Sequence, residues 1–128
     1  MANRSAKRAA QTRAFYRWED ENIPTGEWLR SRDEAQRIAQ KVWRWARSQP
    51  RYAKRARLWR VPTIHFGPGV LQAGRMLSYC EGHLKIVLAP TQRNMAVLLH
   101  EMVHALGPHT HGKRFQELYM SMTIQFLS

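Results

Sequence analysis

Apolar positions in this chain change their period near residue 61. Upstream, Ala35, Ile38, Ala39, Val42 and Ala46 recur at three- and four-residue spacing, with Arg37, Lys41, Arg44 and Arg47 on other faces. The spacing predicts an amphipathic helix over residues 33–48. Ser31 with Glu34 three residues on has capping-box spacing, Asp33 is the alternative cap, and Pro50 stops the helix. Residues 51–60 form a basic run, read as an exposed loop or a short helical extension. Downstream the pattern turns to strands. Residues 61–66 are β-branched and aromatic and end at Gly67-Pro68-Gly69. Residues 75–80 and 84–88 flank Glu81-Gly82-His83, which reads as a hairpin, and residues 85–89 are apolar enough for a central, buried strand. After Pro90, Thr91 or Asn94 can cap a helix over 95–106 that Gly107-Pro108 closes. That helix is apolar on nearly every face, so it must be buried. Phe115, Leu118, Tyr119, Met122 and Phe126 mark a final amphipathic helix. The expected architecture is α+β: an N-terminal helix, a small mainly antiparallel three-stranded sheet, a buried helix and a closing helix.

With 128 residues the chain makes one domain, here residues 31–128. Residues 1–30 read as a basic, partly flexible arm, because residues 1–14 are small, basic and free of acids. No stretch approaches a membrane span, and no apolar signal segment opens the chain. An Arg-rich, acid-poor organelle transit peptide is a lesser alternative for the arm. Cys80 is the single cysteine, which excludes an intrachain disulfide and a cysteine-built zinc site. The expectation is a cytoplasmic protein of a bacterial or phage-infected cell, with nucleoid association as a further expectation. The net charge of +12 asks for a polyanionic partner, with an anionic membrane surface as a lesser one. Residues 1–60 carry 16 cations and 6 acids; residues 61–128 carry 5 and 3. All five tryptophans lie in the first part and all six histidines in the second.

The chemistry is concentrated on the buried helix. His100-Glu101-Met102-Val103-His104 is H-E-x-x-H. Residues four apart stand about 6 Å along the axis and about 40° around it, so both imidazoles face one side and can hold one Zn²⁺. Glu101 sits beside them, placed to act on a metal-activated water as general base. From this chain's own composition the string would arise by chance with a probability of roughly 0.015. Two imidazoles and a carboxylate buried without partners would cost several kcal/mol, which favours a metal over plain core histidines. His109 and His111 are the nearby candidates for a third ligand, and Glu117 is a lesser one. The metzincin spacing H-E-x-x-H-x-x-G-x-x-H fits as far as Gly107 but ends on Thr110.

Three blocks in order resemble the SprT-like (Spartan-type) zinc metalloproteases: residues 74–90 with their hairpin, residues 97–105 with H-E-x-x-H, and His111-Gly112-Lys113-Arg114-Phe115. The resemblance covers about residues 60–120. It implies a zincin-like fold, zinc at His100, His104 and His111, Glu101 as general base, and His109 as the competing third ligand. It also implies a protein or peptide substrate, bound in extended form along the edge of residues 76–80 or 84–88. The short loop before His111 and the lack of zinc-ribbon cysteines make this a minimal version of the family. An oxyanion stabiliser is required, for which Tyr79 and Arg75 are guesses.

Aromatics interleave with cations at Arg17-Trp18, Trp43-Arg44-Trp45 and Leu58-Trp59-Arg60, a pattern suited to phosphates and unpaired bases. Arg44, Arg47, Arg51, Lys54, Arg55, Arg57 and Arg60 are the candidate nucleic-acid contacts, with DNA favoured because the resembling family acts on DNA-bound proteins. Trp43 and Trp45 are better read as packing residues, His65 and His83 as surface or satisfied residues, and Cys80 as a small hydrophobe. The leading expectation is a zinc-dependent endopeptidase. The alternatives are a zinc endoribonuclease of the YbeY type, whose third histidine would fall at Thr110, and a nucleic-acid-binding module with structural zinc.

Overall fold

The computed structural model describes residues 4–72, 74–108 and 110–127. Five helices and two small sheets follow one another as α1 (Arg4–Asn22), α2 (Arg32–Ser48), α3 (Ala53–Leu58), β1 (Thr63–Phe66), β2 (Val70–Gln72), β3 (Arg75–Leu77), β4 (Tyr79–Glu81), β5 (Lys85–Leu88), α4 (Met95–Ala105) and α5 (Lys113–Phe126). The class is α+β. Among the described residues no helix is long and apolar enough to cross a membrane.

Local signals explain most of the helices. Ser31 caps α2, its side chain accepting from the Glu34 N–H at 3.1 Å, so Ser31 and not Asp33 is the cap. Asn94, rather than Thr91, caps α4 through the Val97 N–H at 3.0 Å. The basic run resolves into the one-and-a-half turns of α3. Trp43 holds it in place, sharing its indole N–H between the carbonyls of Ala56 (3.0 Å) and Trp59 (3.1 Å). Trp43 is fully buried, and Trp45 packs edge-on against Phe126.

The sheet corrects the mainly antiparallel expectation. The three-stranded sheet has the order β1-β5-β4 and is mixed: β5 pairs antiparallel with β4 but parallel with β1. The expected single strand over residues 75–80 breaks at Ser78. Its first part, β3, pairs with β2 in a separate hairpin; its second part, β4, joins the main sheet. Ser78 leaves the ladder because side chains take over its backbone partners. Its N–H donates to Gln92 Oε1 at 2.7 Å, and its hydroxyl accepts from the Ala89 N–H at 2.8 Å. Gly69, at φ +76°, lets the hairpin turn back; a Cβ there would lie 2.5 Å from the Leu77 carbonyl.

The outer edge of β1 is closed by side chains of α2. Gln36 accepts from the Ile64 N–H at 2.8 Å and donates to the Pro62 carbonyl at 3.0 Å, while Arg32 donates to the Ile64 carbonyl at 2.7 Å. With β5 central and β1 covered, β4 presents the sheet's remaining edge. Ile64, Ile86, Leu88, Leu98, Leu99, Met102, Phe115, Leu118 and Met122 are fully buried between the helices and the sheet. Each contributes about 1.5–3 kcal/mol of hydrophobic stabilisation.

The segment expected as a basic arm holds a helix. Residues 4–22 form a 19-residue helix, and Phe15 is buried in the core. Segment 23–29 then runs beside the start of α4, where Thr25 and Glu27 carbonyls take the otherwise orphaned N–H groups of Ala96 and Met95.

Candidate metal centre

Helix α4 carries His100 and His104 on one face, as the four-residue spacing requires. After Leu106 the chain turns at Gly107, with φ +130°, and Pro108 leads it back so that His111 comes to lie over that face. The three imidazoles converge through their Nε2 atoms. His111 Nε2 lies 3.1 Å from His100 Nε2 and 3.2 Å from His104 Nε2. All three ligand atoms fall within 4.8 Å of one another. Nitrogens bound at about 2.0–2.1 Å to a tetrahedral ion stand about 3.3 Å apart, so this spacing suits three corners of a tetrahedron.

The hydrogen bonds on the far side of the rings test whether a metal fits. His100 Nδ1 is 3.0 Å from Glu19 Oε2, and His104 Nδ1 is 2.8 Å from the Pro108 carbonyl. A carboxylate and a carbonyl only accept, so each Nδ1 carries the proton and, in the neutral ring, each Nε2 presents a bare lone pair. His111 Nε2 faces both and can give a proton to only one. At least one of the two short contacts is therefore lone pair against lone pair. A proton on His111 does not resolve it at neutral pH, because burial, with repulsion from any charge on His100 and His104, pushes that ring down to about 4. A metal cation resolves it, and the three histidines can hold one.

Glu19 is the residue that sequence reasoning missed. It lies on α1, 81 positions from the ring it orients. Burial alone would raise its carboxyl; the hydrogen bond with His100, followed by the charge of His100 and contact with Tyr119, holds it below the ordinary carboxylate value. Such an outer carboxylate fixes the tautomer and orientation of a ligating histidine. Phe15, one turn earlier, stacks on His111 with ring centroids 4.1 Å apart and planes at 14°. Phe115 meets all three imidazoles from the α5 side, at 4.7–5.0 Å. The absence of Gly and Pro from residues 1–23, with many alanines and long side chains, was the available signal for α1.

Glu101 is buried as a residue, at 5% exposure; none of the described residues hydrogen-bonds its carboxylate, whose oxygens therefore keep contact with solvent. Burial pushes it up to about 7, His100 pulls against this, and Glu19 adds to it. It faces Cys80 on β4, whose thiol burial and the nearby Glu101 charge push up to about 12. Tyr16 of α1 is half-exposed beside the same group; burial, then Glu19 and Glu101, raise its hydroxyl while Arg75 opposes them.

The other candidates separate cleanly. His109 lies outside the described residues. Glu117 is away from the cluster, paired with Arg51 at 3.2 Å, which corrects its reading as a ligand. His65 is exposed on β1, and His83 stacks under Trp59 at 3.7 Å while donating to the Ala105 carbonyl. Arg44, Arg47, Arg51, Lys54, Arg55, Arg57 and Arg60 are all exposed, on or around α2 and α3. Comparison with protein-family models, curated proteins and solved structures gives no match for this chain.

Proposed function

We propose that the chain is a zinc-dependent endopeptidase with a zincin-like, SprT-like active site, acting on proteins held near nucleic acid, with DNA favoured. The observation that carries this reading is Glu101: a buried carboxylate, without a hydrogen bond from the described residues, one position along the helix from a ligand of the three-histidine cluster. A purely structural metal has no use for such a group. A carboxylate this far desolvated and raised, yet still in contact with solvent, is of the kind that active sites hold. A structural site also closes with four protein ligands, whereas among the described residues the cluster stops at three nitrogens.

His100, His104 and His111 would hold the zinc, which supplies Lewis acidity toward a scissile carbonyl and an attacking water when bound. Glu101 takes the proton of that water and later hands it to the leaving amine, and its rise to about 7 suits both directions near neutral pH. Glu19 and the Pro108 carbonyl keep two of the imidazoles in their Nδ1–H tautomers. The open edge of β4, beside Glu101, offers backbone groups to an extended peptide, which accounts for loose sequence preference. Tyr16, whose hydroxyl feels the Glu101 charge, joins Tyr79 and Arg75 as a candidate to meet the developing oxyanion.

The test is cleavage of a basic DNA-binding protein by wild type and Glu101→Gln at matched zinc content, with and without single-stranded DNA. Wild type cleaves, and the variant loses about 10²–10⁴-fold in rate. Equal rates, or no cleavage by zinc-loaded wild type in either condition, overturn the reading.

A further inference from the structure

Behind the metal loop lies a cavity of about 560 Å³, walled by α3 and its approach, by residues 106–108, 110 and 112, and by the start of α5. Four cations line it: Arg51 and Arg55 from α3 and its approach, Lys113 and Arg114 from the first turn of α5. No carboxylate lines it among the described residues. Arg51 alone has an acidic partner here, Glu117 at 3.2 Å, in an exposed pair of little energetic weight.

The charges are arranged against the fold's own interest. Lys113 and Arg114 occupy the first turn of a 14-residue helix that has no acid there and no side-chain cap at Gly112. Cations at that end add to the positive pole of the helix, so the site is electrostatically unfavourable until an anion enters. Arg55 is already placed for one. Its guanidinium lies directly over Gly107, in space that any side chain at that position would need, and 5.6 Å over the Trp59 ring. Half-buried Tyr52 and fully buried Phe115 complete the lining.

A second concavity, of about 600 Å³, flanks α3 on another side and is lined by Arg47, Lys54 and Arg57. Two cation-lined hollows flanking one short helix suit a polymer with repeated phosphates better than a single small anion. Cations set beside the half-buried rings of Tyr52 and Trp59 favour a nucleic-acid strand over an acidic peptide.

We infer that the cavity formed by Arg51, Arg55, Lys113 and Arg114 is a phosphate-binding site for a nucleic-acid strand that passes along α3. This rests on the endopeptidase reading only in giving that enzyme its nucleic-acid contact; the binding itself needs no cleavage. The cavity shares a wall with the metal centre. The loop at its floor carries the Pro108 carbonyl bonded to His104, and Phe115 lines the cavity while packing on His104 and His111. A strand seated there lies next to the chain segment that presents His111.

The test measures binding of a fluorescent oligothymidylate of about 20 nucleotides to the full-length protein across a salt series. The variants are Lys113→Ala with Arg114→Ala, and, as a charge-matched control, Arg37→Ala with Lys41→Ala on the exposed face of α2. The cavity variant should bind about tenfold or more weakly at low salt, and the slope of log affinity against log salt should fall by about 1.4. It should melt at or above the wild-type temperature, because it removes cations from a helix start. The control should keep most of its affinity. Equal losses in both variants mean diffuse attraction and overturn the site, as does poly-glutamate competing as well as the oligonucleotide at equal charge. A wild type that binds but never cleaves refutes the protease reading and leaves this site standing. A cavity variant that binds normally and still cleaves does the reverse.

Discussion

Helices α4 and α1 both build the imidazole cluster, α4 by carrying His100 and His104 and α1 by meeting His100 and His111, and they do so by different physics. In α4, Ala96, Leu98, Leu99, Met102, Val103 and Ala105 are buried, so the core grips the helix that carries two of the three imidazoles. In α1, Phe15 is the one buried residue among the described side chains, with Trp18 and Glu19 half-buried beside it. The other described side chains of α1 are exposed. The first helix is scaffold, and its position is fixed by apolar burial. The second is a clamp, held chiefly by one ring stacked on His111 and one carboxylate on His100. Scaffold and tuning are thus carried by separate parts of the chain, and substitutions in each should have separable effects.

The largest expected effect breaks the scaffold. Phe115→Ala should lower unfolding free energy by about 3–5 kcal/mol, as for other buried aromatic truncations, read from denaturant melts. Phe15→Ala should cost distinctly less, because its loss is capped by the docking free energy of α1, and hydrogen exchange should rise in α1 alone. Equal global destabilisation by the two would merge the regions into one cooperative unit. Next comes the metal. His111→Ala should weaken zinc binding by more than about 100-fold, beyond what loss of an outer-sphere partner does. Chelator competition checks it, and unchanged affinity would remove His111 from the ligand set.

Glu19→Gln sharpens the contrast further. Zinc affinity should fall by about 10–100-fold while the melting temperature moves little, since the change takes away orientation and charge but no buried apolar surface. A fall in stability without a change in affinity would make Glu19 a docking residue only. The smallest effect concerns Cys80. Its thiol, pushed up to about 12, is almost wholly protonated at neutral pH, so alkylation should be slow in the native state and become fast in denaturant. Rapid native alkylation would place a thiolate beside Glu101, where burial argues against one.

Legibility followed the range of the interactions. The Ser31 cap and the α2 stripe lie within a few turns of one another, and sequence pattern finds them. H-E-x-x-H is readable because one helical turn fixes the geometry of its ligands. The return of His111 was open from sequence, with His109 two positions away, because the path of residues 105–112 depends on Gly107 and Pro108 turning together. The split at Ser78 was hidden, since residues 75–80 alternate acceptably as one strand and only the reach of Gln92 interrupts them. The helix α1 was hidden for a different reason. It has no apolar stripe of its own, and Phe15, the one buried side chain among those described, finds a partner on a loop almost a hundred residues later.

By itself the sequence determined a helix presenting two imidazoles and a carboxylate, the presence of further histidines within one loop, and a cationic surface over the first half of the chain. All of these follow from local spacing or from composition, which no tertiary contact can alter. The tertiary structure alone decided that β1 pairs parallel with β5, that β4 holds the open edge, and that Glu19 orients His100. Those are pairings between distant segments, selected by shared burial and by the need of buried polar atoms for partners, and neither requirement leaves a period in the sequence.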